Sequence, residues 1–307
     1  NAIIDSLKVI EDKLDEPLSD PSILPTFLLS KFAKKQVKVA LSGDGADELF
    51  CGYAPFKSIN YLKPLSFIPK NIGNMISLIS ESIPTKDAYM SYHFLLKHVS
   101  RGFGWPSYLQ VFRWMSPLSD KNITTLINKD FQSDYNSNSF WNNLLYNPKN
   151  NKLKLTDTLS KLFYDFYLPN DILTKVDRAS MYNGLEVRSP FLSKSIIDFS
   201  SQLPNKYKIN HNNTKLILRE LSKKMLPNNI SSRKKHGFAI PLAKMIRGPL
   251  KEKIQDTLLS KSYPVSQYFN KHELEKLLNN HFQGIDNRKP IWAIYMLYKN
   301  TERLSKL

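Results

Sequence analysis

Apolar positions near the start of the chain recur with helical spacing and then change to the pattern of a short strand. In SDPSILPTFLLSKFAKKQ, Leu24, Leu28 and Phe32 stand four residues apart, and Pro25 suits an early helical position, so this segment predicts an α-helix. The next segment, VKVALS, is short and β-branched before Gly43, which predicts a strand followed by a glycine loop. Helix, strand and glycine loop in this order indicate a parallel α/β sheet.

A second patterned region predicts a helix, a glycine turn and an extended segment. In LPNDILTKVDRASMYNGLEVRSPFL the helical pattern opens near Asn170 and meets a stop signal at Asn183-Gly184. Pro190 disfavours helical backbone at the preceding residue, so EVRSPF is expected to be extended. Glu186 and Arg188 would then share one face of that segment.

Two more helices are predicted after this region. SKSIIDFSSQLP indicates a short helix with Ser193 as its cap. NNTKLILRELSKKMLP indicates a longer one with Leu218, Leu221 and Met225 on a single face. No repeat and no clear linker emerges, so residues 1–307 are predicted to form one domain.

The middle of the chain is less informative. From residue 57 to 161 the pattern is mostly helical and loop-rich, and the GFG at 102–104 follows no strand, so it is interpreted as a turn. Asn, Ser and Asp are dense between residues 133 and 151, which predicts a loop or a segment of low order.

Composition places the chain among globular proteins, with 41% hydrophobic residues. Its single cysteine, Cys51, excludes a disulfide framework, and the spacing of its histidines matches no common zinc site. No apolar run of the roughly 20 residues that span a bilayer occurs, and no signal peptide opens the chain, so a soluble, cytoplasmic protein without a membrane partner is predicted.

The net charge of +17 raises the hypothesis of nucleic-acid binding. The basic residues are spread along the chain rather than gathered in one stripe, so no nucleic-acid partner is predicted. A positive field would still attract a polyphosphate. If DNA binding did occur through this charge, its affinity would fall steeply with salt.

The segment VALSGDGADELFCGYAPF carries the most chemistry. Ser42, Gly43 and Gly45 remove bulk where the strand ends, so backbone N–H groups can converge on an anion. Asp47 and Glu48 fall near the first turn of the next helix, where they would complement its dipole in a tight turn without further function. Alternatively, carboxylates beside a polyphosphate would bind Mg²⁺ or the ammonium group of an amino acid.

Other charged residues have two interpretations each. Lys215 stands in the predicted first turn of a helix, either solvated or balancing a bound phosphate. Asp177 and Arg178, with Glu186 and Arg188, would form ion pairs that fix a turn or would order a charged substrate. In RKKHGFAIP, His236 is interpreted as an incidental polar residue of a basic loop.

Four segments together resemble the synthetase domain of the glutamine-dependent asparagine synthetase family, particularly bacterial members encoded near surface-polysaccharide genes. They are DEPLSDPSILPTFLLSKFAKKQVKVALSGDGADELFCGY, YLPNDILTKVDRASMYNGLEVRSPFL, TKLILREL and RKKHGFAIPL with RGPL. The resemblance implies an α/β fold of the ATP-pyrophosphatase type, a parallel sheet with many added helices. It also implies ATP and Mg²⁺ as cofactors and a ligase that activates the side-chain carboxylate of aspartate as an acyl-adenylate, which ammonia from glutamine then attacks.

The resemblance also assigns roles to individual residues. Ser42 and Gly43 match the nucleotide-binding pair of this loop, Asp44 an acidic position associated with forming the adenylate, and Asp47 a residue beside the substrate. Lys215 matches a lysine directed at the leaving pyrophosphate. The polar wall of the same cleft is matched by four residues, Asp177, Arg178, Glu186 and Arg188.

The sequence departs from the family pattern in several places. Cys51 replaces a frequent Gly, Ala46 a frequent Gly or Ser, and Ser193 a usual Asp. Neither an SGGxDS-like pyrophosphate loop nor an N-terminal glutaminase Cys occurs, and the chain begins without Met in a helical pattern. The expectation is therefore an N-terminally truncated synthetase domain that is inactive alone.

Three alternatives remain open at this level. In the first, the adenylation acts on another carboxylate, such as a sugar uronic acid in polysaccharide synthesis or one that closes an intramolecular amide. In the second, the chain is a remnant that kept the fold and acts as a binding or regulatory subunit. A homodimer is also left open.

Overall fold

The computed structural model describes residues 2–81, 96, 98–133, 153–231, 233, 237–238 and 240–306. Its two strands are β1 (Val39–Leu41) and β2 (Glu186–Arg188). The α-helices, numbered in chain order, are α1 (Ala2–Lys13), α2 (Ile23–Ala33), α3 (Ala46–Leu49), α4 (Ala54–Lys57), α5 (Ile59–Ser66), α6 (Lys70–Glu81), α7 (Ser107–Met115), α8 (Asp120–Leu126), α9 (Leu155–Leu162), α10 (Thr174–Met181), α11 (Lys194–Gln202), α12 (Leu216–Met225), α13 (Asn228–Ser231), α14 (Leu242–Arg247), α15 (Lys251–Leu259), α16 (Lys271–Phe282) and α17 (Arg288–Leu304). A π-helix spans Phe163–Leu173, and short 3₁₀ turns span Lys129–Phe131, Pro190–Leu192, Asn205–Tyr207 and Pro264–Tyr268.

The chain divides into two compact units. Unit 1 comprises residues 1–21, 65–146 and 240–307, and unit 2 comprises residues 22–64 and 147–239. Both predicted strands and the glycine loop belong to unit 2.

Unit 2 contains a parallel sheet, which confirms the α/β class and both predicted extended segments. β1 and β2 pair in parallel, with Val39 opposite Glu186 and Leu41 opposite Arg188. Helix α10 packs against α2 and contacts β2, and the side chain of Asn183 donates a hydrogen bond to the carbonyl of Phe27 at 3.2 Å. Gly184 follows α10 with a φ of 65°, the left-handed conformation of a helix C-terminal turn, as its sequence position predicted.

One feature of the sheet is its exposed apolar surface. Val39 is 41% exposed and Leu41 is 74% exposed, although both are strand residues. Parallel sheets are normally covered on both faces. The two described strands therefore leave apolar surface of β1 open to solvent.

The helix predicted to open near Asn170 begins much earlier. Helix α9, the π-helix and α10 follow one another without a break from Leu155 to Met181. Pro169 lies inside the π-helix, although a proline usually marks a boundary. Wider π-helical turns and side-chain bonds accommodate it: Thr174 Oγ1 donates to the Pro169 carbonyl at 2.9 Å, and the Asn170 side chain donates to the Phe166 carbonyl at 2.7 Å.

Some predicted helix faces are also wrong in detail. Helix α2 forms as predicted, but Phe32 is 67% exposed, and Phe27 belongs to the buried face instead. In α12, Leu221 and Met225 are exposed. Ser193 precedes α11 but makes no side-chain cap, because its hydroxyl lies 3.3 Å from that of Ser195.

The interior of unit 1 is built around α17. Trp292, Tyr295 and Tyr298 of this helix are almost fully buried, and α17 packs against α1, whose Leu7 and Ile10 are fully buried. Tyr295 donates a hydrogen bond to the Glu11 carboxylate, which also lies 2.6 Å from Lys253 Nζ. Among the described helices of the protein, none has the length and apolarity needed to cross a membrane.

Candidate functional site

The glycine loop begins as a direct continuation of β1. The backbone N–H of Ser42 donates to the carbonyl of Arg188 at 2.8 Å, which extends the ladder by one residue. The hydroxyls of Ser42 and Ser189 lie 2.9 Å apart. At Gly43 an added Cβ would meet no atom within 4 Å, so this side of the loop is open. The loop therefore lies at the carboxyl end of a parallel strand, where α/β proteins bind ligands.

Gly45 joins this loop to the PFL segment that follows β2. Its φ of 89° is left-handed, and an added Cβ would lie 2.3 Å from Leu192 Cδ2. A side chain at this position would therefore be excluded by backbone conformation and by space. Helix α3 starts at the next residue, and Asp47 and Glu48 fall in its first turn as predicted.

Asp47 and Lys215 bring two distant segments together. Lys215 Nζ lies 2.9 Å from Asp47 Oδ1, and both side chains are about three-quarters buried, at 24% and 23% exposure. Gly52 closes the space beneath them, because an added Cβ would lie 2.0 Å from Asp47 Oδ1 and 2.1 Å from Lys215 Cε. A largely buried ion pair of this kind interacts more strongly than one in bulk water.

The backbone at this pair is strained. Lys215 has a φ of 55° and Cys51 a φ of 56°, and these are the only described non-glycine residues with positive φ. Lys215 was predicted to stand in the first turn of α12, but it precedes the helix in the left-handed conformation, and its N–H donates to the Phe50 carbonyl at 3.2 Å. Such strain clusters at functional sites. It also explains why glycine suits the position of Cys51.

Asp44 carries an unusual carboxylate oxygen. Its Oδ2 is buried and accepts no hydrogen bond from any residue that the structure describes. Buried polar atoms almost always have a partner, so an exception in a glycine loop needs a reason. A ligand that brings its own donor or cation would satisfy this oxygen.

Glu48 is buried and pairs with the partly buried Tyr53, a contact that the sequence did not reveal. Glu48 is 1% exposed and accepts a hydrogen bond from the Tyr53 hydroxyl. Burial raises the pKa of the Glu48 carboxyl, and the Tyr53 hydrogen bond opposes that rise. Burial and the neighbouring carboxylate also raise the pKa of Tyr53, so its hydroxyl remains a donor. A dipole-complementing role explained Glu48 in the sequence, and no pattern drew attention to Tyr53.

The remaining predicted residues form two local ion pairs. Arg178 binds the adjacent Asp177 at 2.5 Å, and Arg188 binds Glu186 at 2.8 Å. In each pair one or both side chains are more than half exposed, so these pairs contribute little to stability. Arg188 lies opposite Leu41 at the end of β1, beside the start of the loop. His236 of the basic loop lies outside the described residues.

A magnesium ion fits this site only in company with a ligand. The described residues include no group of three or more His, Cys, Asp or Glu that would hold a metal by itself. Mg²⁺ in phosphate-transfer sites needs only one or two carboxylates, because phosphate oxygens and water complete its shell. Asp44 and Asp47 are the carboxylates available for that role. The chemistry a bound ion supplies is neutralisation of phosphate charge.

The described part of unit 2 is thus an α/β domain with a glycine loop at the carboxyl end of a parallel strand and a lysine–carboxylate pair beside it. The asparagine synthase family model matches residues 1–300, and the chain belongs to this family.

Curated relatives agree with the family. The chain is 29% identical over 289 residues to asparagine synthetase [glutamine-hydrolyzing] 1 of Bacillus subtilis, covering 91% of this chain and 43% of the relative. It is 28% identical over 292 residues to a putative asparagine synthetase [glutamine-hydrolyzing] of Mycobacterium tuberculosis, covering 93% and 42%. A 72-residue segment is 39% identical to a putative asparagine synthetase [glutamine-hydrolyzing] 2 of Methanocaldococcus jannaschii, covering 24% and 13%. The chain thus spans about two fifths of the length of its first two relatives.

Proposed function

We propose that this chain is the synthetase segment of an ATP-dependent ligase that amidates aspartate to asparagine through an aspartyl-adenylate. The ammonia comes from glutamine, as the names of the Bacillus and Mycobacterium relatives indicate for those proteins. The observation that carries the proposal is the meeting of Lys215 with Asp47 at 2.9 Å beside the glycine loop. A cation and two carboxylates beside one loop suit a reaction in which ATP, a polyphosphate, and an amino acid are bound side by side.

The chemistry follows from the low reactivity of a free carboxylate toward ammonia. A carboxylate is a poor electrophile until one of its oxygens becomes a good leaving group. Attack of the aspartate side-chain oxygen on the α-phosphorus of ATP forms the acyl–phosphate bond and expels pyrophosphate. Ammonia then attacks the acyl carbon and AMP leaves, which conserves all atoms. Both leaving groups are anions that fixed positive charge and N–H donors stabilise.

The residues divide between the two substrates. Ser42, whose N–H already bonds the Arg188 carbonyl, and Gly43, beside which the loop is open, line the nucleotide side, and Lys215 neutralises the departing pyrophosphate. Asp44 and Asp47 face the amino-acid side, where the orphan Oδ2 of Asp44 would accept a donor from the substrate or contact Mg²⁺. Arg188, at the end of β2, contributes to the wall of the cleft together with Glu186, Asp177 and Arg178.

We further propose that the activity requires a longer polypeptide. The first two relatives are more than twice the length of the matched segment, and the present sequence contains no SGGxDS-like loop. The exposed apolar residues of β1 also suit a sheet that gains further strands. On this proposal the purified chain alone releases no pyrophosphate in an aspartate-dependent manner.

The test is an assay of the protein translated from the complete gene that contains this chain. We expect pyrophosphate release that requires both ATP and aspartate, with asparagine as the product. Lys215→Ala should lower the rate about 100- to 1,000-fold, whereas Lys224→Ala, at an exposed lysine of α12, the helix that follows Lys215, should leave it unchanged.

Three outcomes would count against this function. Pyrophosphate release with a sugar uronic acid and none with aspartate would transfer the chemistry to polysaccharide amidation. An equal rate in the two lysine variants would remove Lys215 from the reaction. Absence of activity with every carboxylate would favour a non-catalytic remnant.

A further inference from the structure

Helix α3, which carries Asp47, cannot hold its own orientation. It has four residues, Ala46–Leu49, and its first residue is preceded by a left-handed Gly45 without a side-chain cap. Helices this short are unstable without tertiary contacts, since nucleation costs more than one turn returns. Something outside the helix must therefore determine the direction in which the Asp47 carboxylate points.

The side chain next to Asp47 supplies such a contact. Glu48 is 1% exposed, whereas the Asp47 carboxylate is 23% exposed and faces Lys215. Neighbouring residues of a helix point about 100° apart, so anchoring Glu48 on the inside fixes the rotation of α3 about its axis. Glu48 is anchored by the hydroxyl of Tyr53, which donates to its Oε1.

Tyr53 is itself held by aromatic rings of the π-helix. Its ring stacks on Phe163 with centroids 4.7 Å apart and planes 28° apart, and it meets Tyr167 edge-on at 5.7 Å. Phe163 is fully buried and packs against Phe56 on another side. Aromatic pairs of this geometry restrict the ring more than apolar burial alone. The Tyr53 hydroxyl is thus presented from a rigid support.

We infer that Glu48 and Tyr53 are positioning residues, which transmit the rigidity of the π-helix to α3 and so hold the Asp47 carboxylate against Lys215. This inference gives the π-helix a role in the site that the loop sequence does not suggest. It rests on the proposed function for its catalytic meaning, but its structural content concerns only contacts among described residues.

The test observes the Lys215 ammonium group directly in this chain. Lysine is labelled with ¹⁵N and ¹³C, and the side-chain signal of Lys215 is assigned by its disappearance in Lys215→Arg. Asp47→Asn defines the signal position when the ion pair is lost. We expect Tyr53→Phe, which keeps the ring and removes the hydroxyl, to move the signal at least halfway to that position.

Two further variants separate positioning from general destabilisation. Glu48→Ala should resemble Tyr53→Phe, and Glu48→Gln should restore the native signal because its amide oxygen still accepts the Tyr53 hydrogen bond. Tyr61→Phe, at a tyrosine that is 69% exposed, is the matched control and should change nothing. Because glutamine also refills the space of glutamate, the discriminating variant is Tyr53→Phe, which removes only the hydroxyl.

An unchanged Lys215 signal in Tyr53→Phe and Glu48→Ala, alongside a clear shift in Asp47→Asn, would overturn the inference. So would an equal effect of Glu48→Gln and Glu48→Ala. Failure of the proposed function is a separate result, because it would appear as missing synthetase activity in the complete protein while the Lys215 signals remain interpretable.

Discussion

Two buried glutamates that each accept a hydrogen bond from a tyrosine, one in each unit, show how the same chemistry serves different purposes. In unit 1, Glu11 accepts from Tyr295 and also pairs with Lys253 at 2.6 Å. In unit 2, Glu48 accepts from Tyr53, and its closest sequence neighbour is another carboxylate, Asp47. The first pair has its charge compensated, whereas burial and Asp47 both raise the pKa of Glu48.

The contrast extends to the surrounding backbone. Around Glu11, helices α1 and α17 contain buried apolar residues such as Leu7, Ile10 and Trp292, and no described residue of either helix has a positive φ. Around Glu48 two non-glycine residues, Cys51 and Lys215, adopt left-handed backbone. The buried glutamate of unit 1 therefore contributes to stability, and unit 2 retains left-handed backbone at non-glycine residues beside the proposed ligand site.

The two units can be followed separately in solution. All four tryptophans fall in the sequence range of unit 1, so tryptophan fluorescence reports unfolding of that unit. Amide hydrogen exchange of β1 and α10 reports opening of unit 2. These two observables distinguish a change in unit 1 from a change in unit 2.

The largest effect is expected for Gly52→Ala in unit 2. The added Cβ would collide with Asp47 and Lys215, and with the Asp47 Cα at 2.9 Å, which is backbone and cannot rotate away. We expect opening of unit 2, measured by hydrogen exchange of β1, to become easier by about 3 kcal/mol.

Gly43→Ala, on the other side of helix α3, is the matched control for Gly52→Ala. Its Cβ would meet no atom within 4 Å, so the change should be below about 1 kcal/mol. Similar costs for the two variants would contradict the packing of Gly52 beneath the ion pair.

The second effect concerns His281 in unit 1, which is fully buried. Burial, with repulsion from Arg247, lowers its pKa from 6.5 to about 4, and Asp286 only partly opposes this. The neutral ring is favoured in the folded state, so its stabilising contribution is complete above pH 6.5 and is lost as the pH falls toward 4. We expect the free energy of unfolding to drop by up to about 3 kcal/mol across that window.

The measurement for His281 is urea unfolding followed by tryptophan fluorescence at pH 7 and pH 4.5. Other groups also titrate, so the informative quantity is the difference between variants. His281→Asn should have a shallower pH dependence than the parent, and His272→Asn, at an exposed histidine, should match the parent. Parallel curves for the parent and His281→Asn would refute the assignment.

The third effect is expected for Glu11→Ala. Its removal leaves the buried Tyr295 hydroxyl without this acceptor and Lys253 without its partner, so unit 1 should lose about 2 kcal/mol in urea unfolding. Glu275→Ala breaks an exposed pair with Lys271 at 4.0 Å and should cost less than about 0.5 kcal/mol. If the two variants lost equal stability, the buried pair would not contribute as argued.

The smallest effect is expected for Cys51→Gly. Glycine relieves the left-handed strain at this position but removes a fully buried side chain, so the two terms should cancel to within about 1 kcal/mol. Cys51→Val should cost distinctly more, because β-branched residues tolerate positive φ poorly. Circular dichroism in urea distinguishes them, and equal stability of the valine variant would argue against strain at Cys51.

Much of unit 2 was predictable from local sequence. Alternating β-branched residues and the following glycine identified β1, Pro190 identified the extended segment at β2, and Gly184 marked the end of α10. These signals are local because they act through backbone conformation. The start of this helix was predicted wrongly near Asn170, because Pro169 lies inside a helical run that begins at Leu155.

The candidate site was predictable only in part. The resemblance selected Asp44, Asp47 and Lys215, and the structure brings the last two together. The left-handed backbone at Lys215 was missed because lysine has no intrinsic preference for it. Tyr53 was missed because no local pattern pairs it with Glu48, five residues away. Its stacking partner, Phe163, comes from a distant segment of the chain.

The sequence by itself determined the α/β class, the family, and the loop that carries the chemistry, because motif spacing and backbone preference are properties of neighbouring residues. Only the tertiary structure decided that Lys215 meets Asp47, that Gly52 makes room for them, and that Glu48 is buried against Tyr53. The first of these facts joins segments far apart in the chain, and the other two depend on how the fold arranges residues 47–53. Burial then raises the pKa of the Glu48 carboxyl. Glu11, which is also buried, has a cationic partner, Lys253.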